Sequence, residues 1–339
     1  MVRSLGLGLM LLPSILAMDA RADGACAHEH PDYAESFMLS AISIDGQQEL
    51  ALRMARHPNR GSGTIWMHLA IEDVVYSRVV EQISVHRASS CDGLEAPWSE
   101  VRLGEVVVTR NGNSEQASIR VDASLKASKQ RHPESGEGDH PVALSLEFRP
   151  DGREFRVHDG MRLEIYGEIW GTVTTPGRAW ALRLPAKWHE QTGPRPAFAP
   201  SFTYLNLQND ETALLAIKYP RGVVGYLIDA NGQRRVIGLE IDPEGPDRRR
   251  FRIEVEGGDD ITGIASVAQR WSVPVDGKRR PGSGVVVESS IGTLAGSLND
   301  WVDPQYSASA QASRKSGDRI VHALSQQCGD AFRLDRMRM

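Results

Sequence analysis

Apolar and polar residues alternate one by one along much of this chain, and no other feature constrains its fold as strongly. Val142, Leu144, Leu146 and Phe148 alternate with Ala143, Ser145, Glu147 and Arg149. Met161, Leu163, Ile165 and Ile169 alternate with Arg162, Glu164, Tyr166, Glu168 and Trp170. Ile65, Met67, Leu69 and Ile71 alternate with Trp66, His68, Ala70 and Glu72, and Phe251, Ile253 and Val255 with Arg252, Glu254 and Glu256. A period of two is the side-chain period of a strand, so each run predicts a strand with one face in a core. Asp45-Gly46, Asn111-Gly112, Asp151-Gly152, Asn231-Gly232 and Asp276-Gly277 can each supply the positive φ of a tight hairpin. The clearest hairpin runs from Val223 to Ile228, turns at Asn231-Gly232 and returns from Arg235 to Ile241. Many closely joined strands and few helical stretches predict an all-β fold of antiparallel sheets, closed as barrels or stacked as sandwiches.

At 339 residues the chain is too long for one ordinary core and predicts two domains. Pro185 to Pro200, with four prolines, reads as the crossing, giving domains over 23–185 and 186–339. The polar stretch from Lys129 to His140 reads as a long exposed loop. Helical signal is confined to the C-terminus, where Ser316 can cap a short helix with Ile320, Ala323 and Leu324 on one face.

The first residues read as a cleavable signal peptide over 1–22. Arg3 supplies the positive start, Leu5 to Ala17 is an apolar run too short to span a bilayer, and Ala20-Arg21-Ala22 suits signal peptidase. The expectation is a periplasmic or secreted protein with no transmembrane segment after cleavage. Cys26, Cys91 and Cys328 then permit one disulfide and one spare thiol, with the pairing open. A net charge of -5 gives no reason to expect nucleic acid as a partner. No Gly-x-Ser-x-Gly, HExxH, Walker or Rossmann fingerprint occurs, so hydrolase, metalloprotease and nucleotide chemistry lack local support.

From Gly167 the chain reads Gly-Glu-Ile-Trp-Gly-Thr-Val, then Pro-Gly, then Trp188-His189-Glu190-Gln191-Thr192-Gly193-Pro194-Arg195. The aromatic segment Phe202 to Leu207, Gly225-Tyr226-Leu227 and Asn231-Gly232 follow. Upstream stand Glu35-Ser36-Phe37, His57-Pro58-Asn59 and Ile65-Trp66-Met67-His68, and downstream Gly284-Val285-Val286-Val287-Glu288. This ordered series resembles the two-domain lipocalin-like superfamily of hydroxyneurosporene synthase (carotenoid hydratase), AttH-like and kievitone-hydratase-like proteins. Where that family usually reads Arg-Asp-His-Ser-Trp ahead of Gly-Pro-Arg, this chain has His189-Glu190-Gln191-Thr192. The resemblance implies two tandem lipocalin-like β-domains with an apolar ligand cavity between or within them. It implies a hydratase, dehydratase, isomerase or cyclase for a lipophilic, isoprenoid- or polyketide-like small molecule, with no metal or organic cofactor. The alternative is a non-catalytic periplasmic carrier of a hydrophobic ligand.

Hydrating an alkene needs a proton donor in a dry cavity, where burial holds a carboxyl's proton near neutral pH. His189, Glu190 and Glu288 are the candidate catalytic residues. His189 and Glu190, beside Arg195, form either an acid–base cluster at the cavity mouth or a bracing polar loop. Phe202 and Tyr204 share a face with Asn206 and Gln208 that suits a cavity wall or a domain contact. Trp66 and His68 share a face, which would point inward in a ligand-holding barrel. Tyr166 and Trp170 flank Glu168 on one face, and Glu168 or Glu288 can be the donor or simply solvated.

Overall fold

The computed structural model describes residues 30–301 other than 73, 86–99, 104–105, 110–116, 129–138, 157–161, 196–201, 221 and 276–277. The signal peptide, the C-terminal helix, all three cysteines, Asn111-Gly112 and Met161 lie outside the described residues. The first sheet has ten strands: β1 (Tyr33–Ile42), β2 (Gln48–His57), β3 (Ser62–Ile71), β4 (Val74–Ser84), β5 (Glu100–Leu103), β6 (Val106–Thr109), β7 (Ala117–Ser128), β8 (Asp139–Arg156), β9 (Arg162–Thr175) and β10 (Arg178–Pro194). Their order is β4-β3-β2-β1-β10-β9-β8-β7-β6-β5, and β4 pairs again with β7. Strand β1 thus lies between β2 and β10, with Tyr33 opposite Pro194. The second sheet is a closed barrel of β11 (Phe202–Gln208), β12 (Ala213–Tyr219), β13 (Gly222–Asp229), β14 (Gly232–Pro243), β15 (Arg248–Val255), β16 (Ile261–Val275), β17 (Lys278–Ser289) and β18 (Gly292–Trp301). All pairings are antiparallel, and the described residues form two tandem β-units. Among them no helix is long and apolar enough to cross a membrane.

The alternation reads correctly onto the faces. Val142, Leu144, Leu146 and Phe148 point into the first core, with Ile65, Met67, Leu69 and Ile71. Phe251, Ile253 and Val255 point into the second. The expected hairpin forms between β13 and β14, where Gly232 takes φ +94°. Three local expectations change. Asp151-Gly152 makes a bulge inside β8 rather than a hairpin, since the β8–β9 register slips between Pro150 and Glu154. The polar stretch ending at His140 gives way to strand at Asp139. Residues 185–194, expected within the crossing, are strand, paired with β9 as far as Gln191 and with β1 from Ala186 to Pro194, and the chain changes sheets only between Pro194 and Phe202.

Neither interior is hollow at its described core residues. Phe37, Leu39, Leu50, Leu52, Met54, Met67 and Leu69 in the first unit have no accessible surface, nor do Leu205, Leu207, Leu214, Val236, Ile253, Val285 and Val287 in the second. A void large enough for water would leave surface on the side chains around it. An eight-stranded barrel is just wide enough for its own side chains to fill. The expected cavity within a barrel is therefore absent at these residues, and among the described residues the buried titratable groups gather instead at the junction between the units.

Candidate functional site

Strand register builds the junction. Glu164, His189, Met38, Arg53 and Trp66 form one row across β9, β10, β1, β2 and β3. Tyr166, Lys187, Ser40, Ala51, His68 and Ser77 form the next, reaching β4. Both rows lie on the side of the sheet opposite the first core. The second barrel covers this side, burying Arg53, His68, Glu164 and Lys187 almost completely. A polar face is thus dry because another domain lies on it, and its groups must find partners there.

Glu164, on β9, is the hub. Arg162 grips its Oε1 through Nε at 3.1 Å and Nη2 at 2.5 Å. His189 Nδ1 stands 3.1 Å and Lys187 Nζ 3.7 Å from the same oxygen. From the second barrel, the Tyr226 hydroxyl donates to Oε2. Tyr226 also meets the Tyr166 hydroxyl at 2.8 Å, and Tyr166 lies 3.0 Å from the side-chain oxygen of Asn206 on β11. Two phenols have two hydrogens for these three contacts, so the set closes when Asn206 turns its amide nitrogen toward Tyr166. Lys187 Nζ donates to Tyr204 OH at 2.5 Å, which leaves the phenol its own hydrogen to give away.

Burial alone would push the Glu164 carboxyl up, but Arg162, Lys187 and His189 outweigh it and hold the group well below the usual carboxylate range. Burial drives His189 down to about 4 despite its contact with Glu164, so the ring is neutral at pH 7. Burial and Glu164 raise Tyr166 and Tyr226 well above the ordinary phenol range. The cluster therefore holds a carboxylate, an ammonium and a guanidinium, with an excess of positive charge.

A second group lies farther along the same face. Trp271 of β16 donates from Nε1 to Glu49 Oε1 at 2.9 Å and stacks on His68 at 5.7 Å. Glu49 Oε2 is buried without a partner and presses on Gly284, where an added Cβ would stand 2.2 Å from that oxygen. Burial raises the Glu49 carboxyl to about 7 against the Trp271 hydrogen bond. Trp66 and Trp271 pack together with Phe202 and Val79 against them, and the Arg53 guanidinium lies 4.5 Å from the Trp66 ring centre.

The structure brings His189, Tyr166 and Tyr204 into the first group, and Trp66, His68 and Phe202 into the second. It separates the rest. Glu190 faces the opposite side of β10 from His189, opposite Phe37, and accepts from Trp188 Nε1 at 2.8 Å. Adjacent residues in a strand point to opposite faces, so the expected His189–Glu190 pair cannot form. Trp66 and His68 face the second barrel, not the interior, because the interior takes the aliphatic alternates. Arg195 donates its backbone N–H to Asp32 and reaches Ser36 Oγ at 3.5 Å. Trp170 is half-buried under the Arg149 guanidinium, and Glu168 pairs with Arg183 at 2.8 Å. Glu288 is exposed and accepts from Thr293. Arg162, Glu164, Lys187, Tyr226 and Glu49 were not singled out in the sequence. The signal was present for Glu164, which shares the alternate positions of Tyr166. Among the described residues no three His, Cys, Asp or Glu side chains gather as a metal site.

No protein-family profile matches the sequence, and no curated protein does. Among solved structures, an AttH protein from Nitrosomonas europaea superimposes with a TM-score of 0.52 at 11% identity, over 80% of this chain and 93% of that one. The fold is that of the AttH protein. Kievitone hydratase from Nectria haematococca gives 0.45 at 10% identity, over 78% and 87% of the two chains. CghA with Sch210972 gives 0.45 at 13%, over 80% and 86%. In this AttH-like fold each unit packs its own core, and the titratable groups collect where the two units meet.

Proposed function

We propose that this protein is an acid–base enzyme acting on a lipophilic small molecule at the junction of its two β-units, as a hydratase, dehydratase, isomerase or cyclase. The observation that carries the reading is the Glu164 cluster, in which proton-transfer groups from both units surround one buried carboxylate. Glu164 Oε1 stands 3.1 Å from His189 Nδ1 without an aligned hydrogen bond, and the ring, neutral at pH 7, serves as the base. Tyr204 is the acid. In a hydration, His189 takes a proton from the attacking water while Tyr204 gives one to the substrate carbon. The Lys187 ammonium stabilises the phenolate left behind. Dehydration runs the same transfers backwards, and an isomerisation uses the pair on two carbons.

A second reading, a carrier for a hydrophobic ligand, draws support from the ionised state of Glu164, which cannot protonate an alkene. Residues 1–22 support placing either activity outside the cytosol, and N-terminal sequencing of the exported protein should begin at Asp23.

Native mass spectrometry of protein from its source, followed by extraction of what co-purifies, supplies the substrate. On it, His189→Gln and Tyr204→Phe should each lower kcat at least a hundredfold, within the range for losing a general acid or base. In the wild type kcat/KM should rise with pH through about 4. Retained turnover in both variants removes His189 and Tyr204 from the mechanism, and retained ligand without turnover in the wild type overturns the enzymatic reading in favour of the carrier.

A further inference from the structure

We propose that Trp66 Nε1 and His68 Nε2 form a second subsite of the junction, which takes a carbonyl oxygen of the ligand about 14 Å along the sheet from the Lys187–Tyr204 pair. The inference rests on the junction being the ligand site and adds what the ligand must carry.

The distance follows from register. Lys187, Ser40, Ala51 and His68 lie in one row across four neighbouring strands, three strand spacings of about 4.8 Å. Ser40 and Ala51, the residues between, have short side chains. At the far end, Trp66 and Trp271 with Phe202 and Val79 offer an apolar wall.

The chemistry follows from counting hydrogens. Trp66 Nε1 and His68 Nε2 are both buried, and neither has a hydrogen-bond partner among the described residues. An indole N–H can only donate. Burial holds His68 neutral, down to about 4, so its ring carries one hydrogen. Ser77 Oγ lies 3.0 Å from Nδ1, and this is the hydroxyl's only partner among the described residues. The Ser77 hydrogen is satisfied only if it points at Nδ1, which puts the ring hydrogen on Nε2. Two residues apart on one face of β3, the structure thus presents two N–H donors and no acceptor. An acceptor oxygen completes them, and leaving them bare is costly. On the same face the Arg53 guanidinium, 4.5 Å from the Trp66 ring, and the Glu49 carboxyl offset one another, so the matching group is an uncharged carbonyl.

The probe is methyl nonyl ketone with an isotope-labelled carbonyl, titrated into the full mature chain by calorimetry and followed by infrared spectroscopy. Bound to the wild type, its carbonyl stretch should fall below its value in hydrocarbon solution. Trp66→Phe keeps the ring and removes the donor. His68→Phe keeps the stack on Trp271 and removes Nε2, and serves if the first variant does not fold. Either should move the band back toward the hydrocarbon value and weaken binding about tenfold. A bound ketone with an unshifted band, or a shift that both variants keep, overturns the subsite. If that happens while His189→Gln still abolishes turnover, the proposed function stands without it. A wild-type protein that binds no ketone overturns the subsite, and the proposed function is then decided by the turnover of His189→Gln and Tyr204→Phe.

Discussion

Glu49→Gln should make this protein more stable at alkaline pH. Glu49 is 6% exposed, and burial carries its carboxyl from 4.5 to about 7. Because the folded-state value is raised, the folded chain holds the proton more tightly than the unfolded one. The stability linked to it is complete below about pH 4.5, declines as pH rises, and is lost above about 7. The interval corresponds to about 3.4 kcal/mol at 1.36 kcal/mol per decade. Glutamine cannot ionise, yet its amide oxygen can still accept from Trp271 Nε1. In urea titrations at about pH 5 and about pH 8.5, variant and wild type should differ little at the lower value. At the higher one the variant should lead by about 2–3 kcal/mol. Carboxylates with depressed values, Glu164 foremost, give the opposite pH slope, but they are common to both proteins and cancel in the comparison. A variant–wild-type difference that stays constant with pH, or that favours the wild type more as pH rises, refutes the reasoning.

Gly284→Ala should destabilise the wild type by about 1–3 kcal/mol, because its Cβ would meet Glu49 Oε2. In a Glu49→Ala background, where that oxygen is gone, thermal melting should show the cost largely removed. Tyr226→Phe takes a donor from the buried Glu164 carboxylate and should cost about 1–3 kcal/mol at pH 7, with the loss shrinking once acid protonates Glu164. An unchanged urea midpoint would mean that water replaces the phenol.

The strands and their inward faces were legible because period two says which residues share a side. It does not say what lies on the other side. Trp66 and His68 alternate with Ile65, Met67 and Leu69 whether their own face meets solvent, ligand or a second barrel, and only the packing of the units settles that. The Glu164 cluster hid for a related reason. Glu164, Lys187 and Tyr204 are brought together by the pairing of β9 with β10 and by contact between units, and local spacing carries neither. Prolines misled the reading of Pro185 to Pro194. Proline removes a ladder donor without forbidding the extended backbone, and β10 accommodates Pro185 opposite Glu168. With that stretch read as strand, Lys187 and His189 would have fallen on one face and Glu190 on the other.

The placement of β1 between β2 and β10 has a consequence for biogenesis. Tyr33 finds its partner at Pro194, so a chain growing from its N-terminus cannot seal the first unit until well over half of its 339 residues have been made. Until then the apolar side of β1 and β2 lacks its lid, and such distant pairing is slow to form. A nascent chain of this topology therefore carries an unsealed first unit through more than half of its synthesis.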